Sequence, residues 1–295
     1  MEKKNKMETM HMQKLVINMS LPLIVSLLVQ SLYNIVDSIF VAKMSEEALT
    51  ATSLAFPVQM LMIAFSVGTS VGVNALLSKT LGARNRERAT KIANTSIMLA
   101  LIGGAVFSLT GIFFAQKLAR SFTTVESTAA LCAEYLSICM IFCFGNFIET
   151  MLQRFLQAAG NTVLSMCSLI AGAVTNIMLD PILIFGLLGF PALGIRGAAI
   201  ATVIGQWLGA AVALLLNRFC NREVIVDFRG FCPEKEIIFG IYKVGLPNII
   251  TQAISSVMVT LVNQILMPLS MSAVAFFGVY YKLQNFLFMP MNGLG

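Results

Sequence analysis

The chain has 295 residues and a net charge of +6; 57% of its residues are hydrophobic and only 12% are charged. Soluble domains contain roughly 45–50% apolar and about 25% charged residues, so this composition excludes an ordinary water-soluble globule. The basic residues lie at the ends of apolar runs rather than along one polar face, which argues against a nucleic-acid partner. The single histidine, His11, lies in the polar N-terminal tail, so no histidine-ligated metal site is expected.

Long apolar runs separated by short polar clusters predict an all-α membrane protein with several spans, because about 20 apolar residues suffice to cross a bilayer. The first run follows a basic segment, as in a signal peptide, but it is long and contains Asp37, so we interpret it as a retained span. The last run is still apolar at Gly295, and we expect the chain to be C-terminally truncated. The predicted spans are 15–42, 52–78, 91–115, 127–152, 163–187, 194–217, 239–267 and a last one from 272 onward.

Lys and Arg residues alternate between the two sides of this arrangement. The N-terminal tail and the second, fourth and sixth loops hold fifteen of them, whereas the opposite loops hold four. Positive residues are retained on the cytoplasmic side of membrane proteins. The count therefore predicts a cytoplasmic N-terminus.

The longest polar connection follows the sixth span and predicts a boundary between two lobes. Shifting the sequence by 225 residues superposes Leu21–Ile24 on Leu246–Ile249 and matches several further positions without a gap. Because transporters are often built from internal repeats, a second copy of the six-span unit is expected to begin at span seven. The predicted domains are a six-helix lobe at 1–217, a cytoplasmic linker at 218–238 and the start of a second lobe at 239–295.

Two carboxylates, Asp37 and Asp180, lie inside hydrophobic spans. An Asp at the centre of a membrane helix costs roughly 2.5–3.5 kcal/mol on insertion scales, so packing alone does not favour two of them. A functional role is therefore predicted for both. For Asp37 a position near a membrane face is a competing interpretation, because Lys43 follows within about two helical turns.

Polar residues accompany the two acids at helical spacing. Residues three, four or seven positions apart share one face of a helix, and amide or hydroxyl oxygens there can help a carboxylate to hold Na⁺ or stabilise its protonated form. Pro181 follows Asp180 and cannot donate to the carbonyl of Ile177, which makes that oxygen a further candidate ligand, with an ordinary proline kink as the alternative. The candidate ligands by spacing are Gln30, Asn34 and Asp37 in span one, Asn176 and Asp180 with the carbonyl of Ile177 in span five, and Thr202 and Gln206 in span six.

Two further features have simpler interpretations. Glu149 lies within reach of Arg154 and is predicted to form an interfacial ion pair with it. The stretch GIRGAAIATVIGQWLGAA, residues 194–211, is predicted to be a close-packing surface, since small residues let membrane helices approach. It lacks the Gly-Lys-Ser/Thr sequence of a nucleotide-binding loop.

Several stretches together resemble the multidrug and toxic compound extrusion transporters. These are SLPLIVSLLVQSLYNIVDSIFVAKM in span one, ALTATSLAFPVQMLMIAFSVGTSVGVNALLSKTLGARN through span two, LQAAGNT after span four and, most specifically, NIMLDPILIFGLLGFPALGIRGAAIATVIGQ across spans five and six. The resemblance implies twelve helices in two six-helix lobes. It also implies exchange of Na⁺ or H⁺ for amphipathic, often cationic compounds.

In the prokaryotic branch whose ion site lies in the N-terminal lobe, the matching positions are Asp37, Asn176, Asp180 and Thr202. The resemblance thus implies that these four bind the cation or proton, and the remaining candidates Gln30, Asn34, Gln206 and Ile177 are predicted to support them. Span seven carries no acid, so coupling is expected in the first lobe. We therefore predict a multi-pass antiporter in a prokaryotic plasma membrane, monomeric when complete, without a cofactor other than the coupling ion and without enzymatic activity. A lipid-linked saccharide flippase and a non-functional transporter fragment are the alternatives. The substrate and the choice between Na⁺ and H⁺ are not predicted.

Overall fold

A computed structural model describes residues 12–221, 223–228 and 232–292. His11 and part of the predicted linker, Arg222 and residues 229–231, lie outside these residues. In the described part the regular structure is helical, apart from connections that include a short 3₁₀ turn at Leu187–Gly189. The helices are α1 (Met12–Ala42), α2 (Glu46–Gly82), α3 (Arg86–Phe122), α4 (Glu126–Ile141), α5 (Phe144–Ala158), α6 (Thr162–Phe185), α7 (Ile195–Cys220), α8 (Lys235–Leu266) and α9 (Met271–Asn292).

The helices confirm the prediction of a polytopic membrane protein. Six of them, α1, α2, α3, α6, α7 and α8, are long and apolar enough to cross a bilayer. The predicted fourth span is not one straight helix: α4 and α5 meet at an angle of 46° around Phe142 and Cys143, and count as a seventh span only if taken together. The last helix forms where it is predicted but is not among the six, since Lys282, Gln284 and Asn285 make it more polar.

Two ion pairs join the connection before α3 to the connection before α8, at one end of the bundle. The start of α3 pairs with the start of α8, where Arg88 Nη2 lies 2.9 Å from Glu236 Oε1. Lys91 Nζ lies 2.8 Å from Glu234 Oε1 at the same place. These connections are the second and sixth in the chain, which the alternation of basic residues assigns to one side of the membrane.

Close packing of α6 against α7 confirms the prediction made from the Gly- and Ala-rich stretch. A Cβ placed on Gly205 would lie 2.9 Å from the carbonyl oxygen of Gly172, and one placed on Gly172 would lie 2.8 Å from that of Gly205. Real Cβ atoms essentially never come within 3.0 Å of backbone. Only glycine at both positions lets the two backbones approach so closely, as small residues do at membrane helix interfaces.

The helix boundaries repeat along the chain. The second helix begins at Glu46 and the last at Met271, which are 225 positions apart, and a proline lies inside both α1 (Pro22) and α8 (Pro247) at the same spacing. This is the offset at which the sequence resembles itself. In space α8 packs along α2, and α9 packs on both α1 and α2.

Candidate functional site

The first part of the site lies between α6 and α7. Asn176 and Asp180 are one turn apart on α6, as their spacing predicts, and both side chains are buried. The amide nitrogen of Asn176 lies 3.4 Å from Asp180 Oδ1 and 3.4 Å from Thr202 Oγ1 on α7. If the amide is turned over, its nitrogen lies 3.3 Å from Asp180 Oδ2 and its oxygen 3.2 Å from the backbone nitrogen of Thr202. In both orientations Asn176 bridges Asp180 and Thr202.

Asp37 contributes the second part of the site, from α1. Only 7% of the residue is exposed, which argues against a carboxylate that hydrogen-bonds solvent or headgroups. Its Oδ1 atom is buried and has no hydrogen-bond partner among the described residues. The helix packs along α6, and Asp37 and Asp180 are close enough to interact electrostatically. The fold therefore brings together the four residues that the sequence selected from three helices.

The predicted supporting residues are less involved. The Asn34 amide donates to the carbonyl oxygen of Gln30 at 2.9 Å, within its own helix, rather than to Asp37. Gln206 lies on α7 one turn after Thr202 and makes no hydrogen bond to any described residue. Pro181 lies inside α6, so the carbonyl of Ile177 lacks its usual helical donor, as predicted.

Sequence reasoning missed a basic residue beside Asp37. Lys282 Nζ donates a hydrogen bond of 2.6 Å to Ser38 Oγ, on the residue next to Asp37, and lies 5.3 Å from the centre of the Phe56 ring. Its charge interacts electrostatically with Asp37. Lys282 is 245 positions from Asp37, so no local spacing points to the pair; the signal available was a lone basic residue within the last apolar run.

The predicted ion pair between Glu149 and Arg154 is wrong. Glu149 Oε1 accepts a hydrogen bond of 3.0 Å from Gln153, and the carboxylate packs against Gly209 of α7. Arg154 instead donates to Ser70 at 3.2 Å and to Gln157 at 2.7 Å. Glu149 and Arg154 are five positions apart, and at 3.6 residues per turn this spacing turns the two side chains to different sides of α5.

Glu149 belongs to the surroundings of the two aspartates instead. It interacts electrostatically with Tyr33 of α1, and so do Asp37 and Asp180. Three carboxylates thus act on one partly buried tyrosine. The available signal for Glu149 was an acid within a predicted span, but weaker than for the two aspartates because its helix also carries Asn146, Gln153 and Arg154.

Two polar side chains, one on α2 and one on α4, lie close to the aspartates. The Gln59 amide lies 3.4 Å from the hydroxyl of Tyr135, and Tyr135 interacts electrostatically with Asp37 and Asp180. Gln59 and Tyr135 were not predicted, because a single amide or tyrosine in a span is usually a packing residue. With them, the surroundings of the acids include side chains of α1, α2, α4, α5, α6, α7 and α9.

The arrangement groups oxygen atoms of several chemical types. Carboxylate, amide and hydroxyl oxygens are the ligands that hard cations prefer, and a buried carboxylate can alternatively carry a proton. When all three carboxylates are ionised, Asp37, Asp180 and Glu149 carry three negative charges beside the one positive charge of Lys282. In that state a small cation can be attracted to the site.

Known proteins resemble this chain over almost its whole length. The probable multidrug resistance protein YoeA of Bacillus subtilis is 30% identical over 281 residues, which cover 93% of this chain and 60% of YoeA. The multidrug export protein MepA of Staphylococcus aureus is 26% identical over 283 residues, 95% of this chain and 62% of MepA. This chain therefore spans about three fifths of the length of the curated relatives it matches.

The fold is shared as well. An outward-facing structure of a multidrug resistance MATE family transporter of the MOP superfamily superposes with a TM-score of 0.87 and 28% sequence identity, over 99% of this chain and 64% of that one. The MatE family profile matches residues 22–182, which is more than half of the chain and includes both aspartates. The chain belongs to the MatE family of transporters.

Proposed function

We propose that this chain forms the cation-binding part of a transporter that exports amphipathic, cationic compounds across the plasma membrane in exchange for Na⁺ or H⁺. Asp37, Asp180, Asn176 and Thr202 hold the coupling cation or proton. One observation carries the proposal: Asn176 bridges Asp180 to Thr202 next to a buried Asp37 whose Oδ1 has no partner among the described residues. That oxygen is available to a ligand.

The exchange follows from differential affinity. A ligand shifts a conformational equilibrium only by as much as its affinities for the two states differ. The proposed site is contributed by three helices, so a change in the position of α1 relative to α6 and α7 alters the number of oxygens that surround the cation. Binding of the coupling cation and release of the exported compound are thereby linked. The similarity to the multidrug resistance protein YoeA and the multidrug export protein MepA supports multidrug export as the transport process.

The remaining organisation is proposed on the same basis. The N-terminus is cytoplasmic, residues 1–217 form one six-helix lobe, and α8 and α9 belong to a second, repeated lobe. The distribution of Lys and Arg supports the orientation. The 225-residue spacing of helix starts and prolines supports the repeat.

The test is loss of resistance without loss of protein. Asp37→Asn and Asp180→Asn each remove one carboxylate with little change in volume, and cells that produce either variant are expected to lose resistance to ethidium, a permanently cationic dye. Glu126→Gln is the matched control, because its exposed carboxylate pairs with Arg120 away from the site. Membrane abundance is measured for every variant. Wild-type resistance in both aspartate variants would contradict the assignment of Asp37 and Asp180 to cation binding.

The flippase alternative predicts a different charge. A saccharide linked to lipid through pyrophosphate needs a basic cavity. The side chains described around Asp37 and Asp180 include two further groups with a charge, Glu149 and Lys282, so the acids outnumber the bases. This balance favours a cationic substrate over a pyrophosphate.

A further inference from the structure

We propose that Lys282 is the resident counter-charge of Asp37 and sets the affinity of this site for cations. The proposal rests on the cation-binding role of Asp37 described above. In the absence of a bound cation, the ammonium group of Lys282 balances the Asp37 carboxylate. A cation that binds Asp37 must do so against the repulsion of Lys282 or after Lys282 has moved away.

Two contacts position the ammonium group of Lys282, and a further hydrogen bond positions its partner Ser38. Its Nζ donates to Ser38 Oγ at 2.6 Å, and the hydroxyl of Ser38 donates in turn to the carbonyl oxygen of Asn34 at 2.7 Å. The ammonium also lies 5.3 Å from the centre of the Phe56 ring on α2, a distance typical of cation–π interactions. These contacts hold the positive charge beside Asp37 rather than in solvent.

The contacts of Lys282 leave one oxygen of the Asp37 carboxylate without a hydrogen-bond partner among the described residues. Lys282 bonds Ser38 and does not bond Asp37 directly, so Asp37 Oδ1 keeps no hydrogen-bond partner among the described residues although it is buried. A buried carboxylate oxygen without a partner is costly, and such atoms in native structures require an explanation. A cation that enters the site can take this oxygen while Lys282 stays on Ser38, or can replace Lys282 altogether.

The placement of Lys282 on α9 gives the pair a mechanical consequence. Helix α9 packs on both α1 and α2 and is connected to the first seven helices through α8 and the polar segment before it. The packing is close, since a Cβ on Gly278 would lie 2.8 Å from the Cβ of Ser53 on α2. The attraction between Asp37 and Lys282 adds to this contact. A cation on Asp37 cancels that attraction and so weakens the hold of α9 on α1.

The first experiment measures the pair without any ligand. Wild type, Asp37→Asn, Lys282→Gln and the double variant are purified as full chains in detergent with choline as the only added cation, and melting is followed through the single tryptophan, Trp207. The double variant is expected to lose less melting temperature than the two single losses together, which is the signature of coupled residues. Additive losses overturn the proposal. Lys282→Arg, which keeps the charge, is expected to melt like wild type.

The second experiment measures cation affinity with tetraphenylphosphonium as the probe. Lys282→Gln is expected to bind it about tenfold more tightly, which corresponds to removing ~1.4 kcal/mol of repulsion. Lys243→Gln is the matched control, because it removes the same charge from an exposed position on α8. An unchanged or weaker affinity in Lys282→Gln overturns the affinity-setting role.

The two experiments separate this inference from the proposed function. The transport proposal fails if wild type does not bind tetraphenylphosphonium and its melting temperature changes with neither Na⁺ nor pH. The melting cycle still decides whether Asp37 and Lys282 are paired, since it uses no ligand. If wild type binds the probe and the melting losses are additive, the pairing fails and the transport proposal stands.

Discussion

Replacing Asn176 with leucine tests the bridge between Asp180 and Thr202. The leucine side chain has the same branching and the same number of heavy atoms as that of asparagine but offers no polar atom, so it removes the contacts at 3.4 Å to Asp180 Oδ1 and Thr202 Oγ1. A hydrogen bond to a charged group contributes about 1.5–3 kcal/mol. Because 3.4 Å is longer than the usual range, the lower end applies, and about 1.5 kcal/mol corresponds to roughly a tenfold change in affinity.

The expected effect is a shift in cation dependence. Ethidium export by cells that produce the Asn176→Leu variant should need about ten times more Na⁺ for half-maximal rate if Na⁺ drives it and takes the Asn176 amide as a ligand. If H⁺ drives it, half-maximal rate should come at a pH about one unit higher, because the ionised form of Asp180 loses a hydrogen-bond donor and binds a proton more readily. Asn74→Leu is the matched control, since Asn74 lies on α2 and makes no hydrogen bond to either aspartate. Unchanged dependence on both cations would refute the role of Asn176.

Two further predictions concern the scaffold that positions the site. Gly205→Val forces a side chain against the backbone of Gly172 and should destabilise the α6–α7 contact by about 1–3 kcal/mol, measured by unfolding in mixed detergent micelles; Gly82→Val, where a Cβ meets nothing within 4 Å, should cost far less. Asn217→Leu removes a bond of 2.9 Å to the carbonyl oxygen of Leu152 that joins α7 to α5, with an expected loss of about 1–3 kcal/mol in the same assay. Wild-type stability in Gly205→Val would refute the close approach, and wild-type stability in Asn217→Leu the link between α5 and α7.

The fold was predictable where hydrophobic length decides it. A run of about 20 apolar residues has few alternatives to a membrane helix, because backbone polar groups in lipid must be satisfied internally. The bend between α4 and α5 was not predicted, since the sequence around Phe142 and Cys143 contains neither proline nor a polar cluster. Its consequence lies in packing: Gly145 comes close to Trp207, and Glu149 comes against Gly209.

For the site too, the sequence predicted some features and not others. The pairing of Asn176 with Asp180 was determined by sequence alone, because residues four apart on a helix are always neighbours. The sequence also singled out Asp37 and Thr202, through the cost of a buried charge and the family resemblance, but it does not contain the distances between three helices.

Only the tertiary structure decided which charges meet. It separated Glu149 from Arg154, which are close in sequence, and brought Lys282 beside Asp37 from 245 positions away. Helical spacing fixes contacts within one helix, whereas contacts between helices depend on how glycine surfaces and bends set the rotation and approach of each pair. The charge balance around the aspartates, and with it the affinity of the proposed cation site, is therefore a property of the assembled bundle.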